Sequence, residues 1–563
     1  MTAAAPFPVR TGGQLLVDAL KTHGVDMAFG VPGESYLAVL DAFYESREQI
    51  RFVICRQEGG AANMADAYGK LTGRPGICFA TRGPGATNAS IGIHTAFQDS
   101  TPLILFIGQV GSRVAEREAF QEIDYRRMFG QMAKWVAQID RADRVPEMVS
   151  HAFHLAVSGR PGPVVLALPE DMQTAKAQVA DGAHYQRVAA HPGGTDMQRL
   201  RELLAQSARP FVMLGGSGWN AQACAQIRAF IETNHLPTAC AYRCQDILDN
   251  RSPNYLGDIA VGMNPAIEKR IREADLLIAI GLRLGEWTTL NYTLLDIPRP
   301  QQKFVHVHAG ADELGRVYQG DLLINAGMPE FADAARALAP VPGRWAEATA
   351  AARAEYEAWS RPVKTPGALN MSEVVRFLKE RLPPEAIITN GAGNFTLWIH
   401  RFYQYRGYRT QLGPTSGAMG YGVPAGVAAK LVHPERPVIA FAGDGDFLMN
   451  GQELATAMQY GAKTIFIVVN NGMFGTIRMH QERHYPGRIS GTELHNPDFA
   501  ALARAYGAHG EVVTRTEDFE AAFERAWNAG TAALLELRID PDSVSPRATL
   551  SAVRAEALKK REA

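Results

Sequence analysis

The stretch that decides the fold reads Pro437, Val438, Ile439, Ala440, Phe441, Ala442, Gly443, Asp444, Gly445, Asp446, Phe447, Leu448, Met449, Asn450. Its first six residues are apolar and are closed by glycine, as in a buried strand, and a helix is expected over 452–460. A carboxylate between two glycines, just past the carboxyl end of such a strand, stands where parallel α/β sheets hold their ligands. Gly443 and Gly445 let backbone N–H groups turn toward an anion, and the following helix adds its positive end. Between Asp444 and Asn471 lie 26 residues, room for one helix and one more strand, 464–469, which ends in Asn470, Asn471, Gly472. Strands joined through a helix run parallel, so both turns fall on one edge of the sheet. Asp444 and Asn471 therefore converge on one cation, and an oxygen-ligated ion that bridges phosphates is Mg²⁺. Gly-Asp-Gly alone is an ordinary turn; the strand, the helix and the spaced Asn-Asn-Gly make it a site.

The same alternation fills the rest of the chain. Short β-branched runs are separated by longer Ala-rich and Leu-rich amphipathic stretches, the pattern of parallel sheets covered by helices. Strands are expected at 51–55, 76–80, 103–107 and 164–168, at 211–214, 276–280 and 303–308, and at 386–389, 437–441, 464–469 and 533–539. Two stretches interrupt the pattern: 174–194, polar and rich in Ala and Gly, and 339–370, which holds four prolines and one surface helix at 344–359. With linkers there, the 563 residues divide into three doubly wound, parallel-sheet α/β domains, 1–180, 190–340 and 365–563. The charged, Ala-rich stretch 543–563 reads as a terminal helix or a loosely held tail.

Composition removes several function classes. With 57 basic against 58 acidic residues, the chain lacks the cationic surplus that nucleic acid or an anionic membrane demands. No apolar run reaches the roughly 18 residues of a spanning helix, and residues 1–11 show no secretory leader. The five cysteines, Cys55, Cys78, Cys224, Cys240 and Cys244, cannot all pair, and no second pair completes a zinc site around Cys240 and Cys244. Packed, reduced thiols in a cytoplasmic protein account for them. Glycine is the one excess, at 53 residues.

In the first domain the strand 51–55 leads through Arg56 and Gln57 to Glu58, Gly59, Gly60, Ala61, Ala62, Asn63 and Met64. A helix of small residues after Glu58 allows close packing, and a carboxylate held there is desolvated and able to share a proton. Taken alone, Glu58 is equally a glutamate favoured by a helix N-terminus. Thr81, Arg82, Gly83, Pro84, Gly85 follow the next strand, and Gly413, Pro414, Thr415, Ser416, Gly417, Ala418, Met419, Gly420 form a further glycine turn in the third domain.

The paired Gly-Asp-Gly and Asn-Asn-Gly motifs resemble those of thiamine-diphosphate enzymes. The run from Gly30, Val31, Pro32, Gly33 through Gly83 and on to Gly108, Gln109, Val110 is similar to the pyrimidine-binding domain of the acetolactate synthase group. That resemblance spans nearly the whole chain. It implies that Asp444, Asn471 and the carbonyl of Met473 hold Mg²⁺, and that Glu58 activates the aminopyrimidine ring. It further implies cofactor contacts at Pro32, Gly33 and Gly83, at Gly391, Ala392, Gly393 and Asn394, at Gly443, Gly445 and Asp446, and at the Gly417 carbonyl. Met419 would prop the cofactor in its bent form, and Phe120 and Gln121 would lie near the reacting carbon. The implied reaction is decarboxylation of a 2-oxo acid followed by addition of the resulting enamine to a second carbonyl compound, in a homodimer or homotetramer whose cofactor lies between the first domain of one subunit and the third of its partner.

Three departures qualify the likeness. Where the group usually carries Gly-Met-Val-x-Gln-Trp, this chain has Gly475, Thr476, Ile477, Arg478, Met479, His480, placing an ionisable side chain at the tryptophan position and pointing away from two pyruvates as substrates. Arg478, His480, Arg483, His484 and Arg488 are expected to form a basic loop, either solvated or a lid that recruits carboxylates. The central domain keeps a Gly215, Gly216, Ser217, Gly218 cluster compatible with a dinucleotide turn, yet Trp287, His308 and Gly310 replace residues usual in the FAD site, so FAD is not expected. The loop Gly391 to Asn394 reads Gly-Ala-Gly-Asn where Gly-Gln-His-Gln is usual. Other readings are a 2-oxo acid decarboxylase that releases an aldehyde, a flavin or nicotinamide oxidoreductase, and an inactive homologue.

Overall fold

The computed structural model describes residues 7–260, 262–341 and 343–562, so residues 1–6 of the leader reading lie outside the described residues. Two compact units result, residues 1–188 and 189–563.

The first unit holds one six-stranded parallel sheet, in the order β3-β2-β4-β5-β7-β6. Its strands are β2 (Met27–Gly30), β3 (Arg51–Ile54), β4 (Gly76–Thr81), β5 (Leu103–Gln109), β6 (Trp135–Gln138) and β7 (Pro163–Pro169). A small antiparallel pair, β1 (Val9–Thr11) with β8 (Lys176–Gln178), lies outside that sheet. Every residue of β5 and β7 is buried, which is why these strands read as unbroken apolar runs. The helix Glu58–Thr72 packs on the helix Arg82–Asp99 closely enough that a Cβ added at Gly92 would stand 2.4 Å from the Ala62 Cβ. The small residues after Glu58 thus serve one helix-to-helix contact.

The second unit carries two more six-stranded parallel sheets. One runs β11-β10-β9-β12-β13-β14, from β9 (Pro210–Leu214), β10 (Thr238–Ala241), β11 (Tyr255–Ile259), β12 (Leu276–Ile280), β13 (Lys303–His308) and β14 (Leu322–Asn325). The other runs β16-β15-β17-β18-β20-β19, from β15 (Ile387–Asn390), β16 (Gln411–Leu412), β17 (Val438–Gly443), β18 (Ile465–Asn470), β19 (His509–Val513) and β20 (Ala533–Arg538). The first and last sheets share one strand order; the middle sheet has the order of dinucleotide-binding folds.

Three sequence expectations need correction. The helix after β17 begins at Asp444 itself and continues to Asn450, followed by a 3-10 turn and the helix Leu454–Tyr460. Asp444 and Asp446 occupy its first turn, where carboxylates meet the positive end of the helix. The expected basic loop is the helix Gly475–His484, with Arg478 buried and paired to Glu482 one turn on. The helix Ala346–Trp359 buries one side: Thr349, Ala352 and Tyr356 are covered, and the Tyr356 ring meets Tyr255 edge-on. The tail forms a helix, Leu550–Glu562, tied to the helix Gly475–His484 through Arg554 and Glu482. Among the described residues no helix is long and apolar enough to cross a membrane.

Candidate functional site

In the third sheet the connections leave in opposite directions from β15 and β17, which lie side by side. Such a switch point opens a crevice beyond the carboxyl ends of the strands. The register aligns those ends: Asn390 pairs with Phe441, and Gly443 pairs with Val469 of β18. Gly391, Asp444 and Asn471 therefore leave the sheet together. A pocket of about 220 Å³ fills the crevice. Of the expected residues, Ala392, Gly393, Asn394, Gly417, Met419, Gly443, Asp444, Gly445, Asp446, Asn471 and Met473 line it.

Asp444 is buried and its carboxylate is already committed. One oxygen accepts from the Gly445 N–H at 3.0 Å, and the other from the Gly472 N–H and Asn496 Nδ2, both at 2.8 Å. Burial raises its carboxyl above the ordinary value, against the pull of these hydrogen bonds. Gly472 adopts φ +68°, which turns its N–H onto Asp444. Asn471 Oδ1 accepts from the Met473 N–H at 3.3 Å, so one turn brings Asn471 and Met473 beside Asp444.

Asp446 ties three loops together. Its Oδ1 accepts from the Ala392 N–H at 3.2 Å and the Gly420 N–H at 2.7 Å, while Oδ2 is buried without a partner among the described residues. Burial pushes its carboxyl up to about 7. Gly391 lies behind the pocket rather than in it: a Cβ there would stand 2.1 Å from Asp446 Oδ1. Gly417, at φ +68°, faces open space, with no atom within 4 Å of an added Cβ.

Sequence reasoning missed several participants. Arg243, in the loop after β10, is buried at φ +60° and donates to the carbonyls of Gly391, at 2.8 Å, and Pro414, fastening both glycine turns to the middle sheet. A lone arginine in a loop carries no signal of this kind. Asn496, remote in sequence from both motifs, bridges Asp444 and Asn470. Phe474, Thr476 and Ile477 line the pocket, whereas His480 is not among its walls; it is exposed and stacks at 6.3 Å on His484. In the middle sheet Gly215 and Gly216 are taken up by packing: a Cβ at Gly216 would meet the Gly281 carbonyl at 1.8 Å, while Gly218 faces open space.

In the first unit, Glu58 is the first residue of its helix, capped by Gln57, whose side chain accepts from the N–H groups of Gly59 and Gly60. Glu58 is buried, Oε2 accepts from Asn88 Nδ2 at 2.9 Å, and a Cβ added at Gly85 would press on Oε1 at 3.1 Å. Gly33 has no room for a side chain, with Thr81 Cβ 2.4 Å from the added atom; Pro32 precedes it in the turn after β2. The Gly83 N–H donates to the Gln121 carbonyl at 2.9 Å, Gln121 sits at φ +64°, and Phe120 is exposed.

Comparison with known proteins agrees with this geometry. Residues 10–128 match the thiamine pyrophosphate enzyme N-terminal TPP binding domain, 197–335 the central domain and 391–537 the C-terminal TPP binding domain. The chain is 31% identical to acetolactate synthase isozyme 2 large subunit of Escherichia coli, over 98% of this chain and 99% of that protein. It is 32% identical to the acetolactate synthase large subunit of Corynebacterium glutamicum, over 93% and 86%, and 29% identical to the probable acetolactate synthase large subunit of Methanocaldococcus jannaschii, over 95% and 93%. With all three domains matched in order and such relatives aligned almost end to end, the chain belongs to the thiamine pyrophosphate enzyme family, beside the acetolactate synthase large subunits.

Proposed function

We propose that the protein is a thiamine-diphosphate-dependent and Mg²⁺-dependent enzyme that decarboxylates a 2-oxo acid and joins the remaining fragment to a second carbonyl compound. The observation that carries this reading is the convergence of Asp444 and the Asn471 turn at the β15/β17 switch point. The pocket suits a metal-bound diphosphate: it offers hard oxygen donors, the positive end of a helix, and an open face at Gly417.

In this reading Asp444, Asn471 and the Met473 carbonyl hold Mg²⁺. The turns at Gly391 to Asn394 and Gly443 to Asp446 hold the diphosphate, with Asp446 fixing the spacing between the Ala392 and Gly420 turns. Gly417 and Met419 line the ring system, and Pro32, Gly33 and Gly83 supply backbone from the first domain. The cofactor, when bound, supplies the electron sink for loss of CO₂ and the carbon nucleophile. Glu58 holds and moves a proton at Oε1, while Asn88 keeps Oε2 in place. Phe120, Gln121 and His480 are assigned to the acceptor side. A flavin is not part of this reading, since Trp287 and Gly310 stand where the acetolactate synthase group usually has flavin contacts. The domain bounds 1–180, 190–340 and 365–563, a homodimer or homotetramer, and a cytoplasmic location complete it.

The test is a screen of 2-oxo acids for CO₂ release by the enzyme loaded with thiamine diphosphate and Mg²⁺, with and without an aldehyde or second 2-oxo acid. A ligated 2-hydroxy ketone or 2-hydroxy acid product is expected. Release of aldehyde alone under every acceptor condition contradicts the carboligase assignment.

A further inference from the structure

The second unit contains another cavity, of about 550 Å³, with different walls. A single layer of side chains separates it from the diphosphate pocket: Met479 lines this cavity, and its sulfur lies 3.8 Å from Nδ2 of Asn394, which lines the other. None of the expected cofactor residues borders it.

Its charge is unbalanced. Arg401, half-buried, donates to the carbonyls of Trp359 at 2.9 Å and Pro546 at 3.0 Å, and among the described residues no carboxylate lies within ion-pair distance of Arg401 or Arg547. Burial, and then the neighbouring Arg547, lower the Arg401 guanidinium to about 10. Arg483 and Lys560 stand at the same walls, and Lys560 is paired with Glu556 at 2.7 Å. The remaining carboxylate at these walls is Asp258, pushed up to about 7 by burial.

His400 is buried on this wall with both ring nitrogens unpartnered. Burial and Arg243 hold its ring neutral, lowering it to about 3, so it adds no charge to the cavity, and both ring nitrogens are closed off from it. The rest of the lining is apolar, notably Leu397, Val553 and the Trp359 ring, over which Arg401 lies at 3.6 Å.

We propose that this cavity is a binding site, distinct from the diphosphate pocket, for an organic carboxylate with an aryl or branched apolar body, its acid group held by Arg401 and Arg547, and its body against Leu397 and Trp359. Two guanidinium groups give a charge-assisted seat for a carboxylate, and the apolar wall rewards a body that a bare inorganic anion lacks. The site goes beyond the proposed carboligase activity and does not depend on it.

Phenylacetate is a suitable probe, because it carries no 2-oxo group to react. Titrated into the protein loaded with thiamine diphosphate and Mg²⁺, it is expected to change tryptophan fluorescence saturably at millimolar concentration, and the change is expected to be lost in Trp359→Phe. Phenylacetamide, its neutral analogue, should bind about tenfold more weakly or worse, as should phenylacetate to Arg547→Gln, each lacking one charge-assisted contact. Arg547 is exposed and, among the described residues, its side chain makes no hydrogen bond, so the variant is expected to fold, which near-ultraviolet circular dichroism checks. Equal affinity for acid and amide, an unchanged dissociation constant in Arg547→Gln, or a response that survives Trp359→Phe each overturns the proposal.

Discussion

Glu58 and Asp444 carry the chemistry proposed for this chain, and each is held by neighbours that define what its loss should do. Glu58 is anchored through one oxygen to Asn88. Glu58→Gln is expected to keep cofactor binding while slowing hydrogen–deuterium exchange at the thiazolium C2 by about two orders of magnitude or more, the range of general acid–base effects. Exchange at the wild-type rate removes the role. Gly391→Ala would place a methyl 2.1 Å from Asp446 Oδ1. Overpacking of this kind costs about 1–3 kcal/mol, and because it displaces the strut between two turns, denaturant unfolding should show that loss together with weakened cofactor affinity. The residues legible in the sequence were those whose neighbours in the chain announce them, as Gly443 and Gly445 announce Asp444. Asn496 and Arg243 reach the site only through the fold, as do the hydrogen bonds by which Asp446 joins the Ala392 and Gly420 loops.

At the scale of elements, most strands that show in the sequence are buried central ones, such as β5, β12 and β18, whose apolar runs are unbroken, with the edge strand β3 an exception. Strands at or next to the sheet edges, β6, β16 and β19 among them, are short or partly exposed and lack that run. The helix Gly475–His484 was hidden for another reason: its polarity reads as loop, and what stabilises it is charge pairing to the tail. Glu482 accepts from both Arg478 and Arg554, and these partners, chiefly Arg554, lower its carboxyl to about 2. For an acid depressed in the folded state, the stabilisation is full above the unfolded value, about 4.5, and is lost as pH falls toward 2. Glu482→Gln should consequently free the helix Leu550–Glu562 to proteolysis at pH 7, and the wild-type tail should acquire the same sensitivity to an acid protease only below about pH 4.5. A tail equally protected in the variant contradicts this docking role.

For the whole molecule, three parallel sheets of six strands follow one plan twice, in the first and third along the chain, while the middle one has a different order. The sequence showed three α/β domains through linker composition; the shared strand order was not legible, because it resides in pairing between strands far apart in the chain. A near-neutral net charge of −1 fits a protein that meets its anion with directed N–H groups and one metal ion rather than a basic surface. If the working enzyme joins the first domain of one subunit to the third of another, sedimentation should give a mass of two or four chains, and a monomer with full activity contradicts that assembly. The central claim is that Asp444 and the Asn471 turn bind a metal-bridged diphosphate. Calorimetric titration of thiamine diphosphate, with and without Mg²⁺, into the wild-type protein and Asp444→Ala tests it most directly: the account predicts Mg²⁺-dependent binding to the wild type and none measurable to the variant, and equal affinity in the two proteins would contradict it.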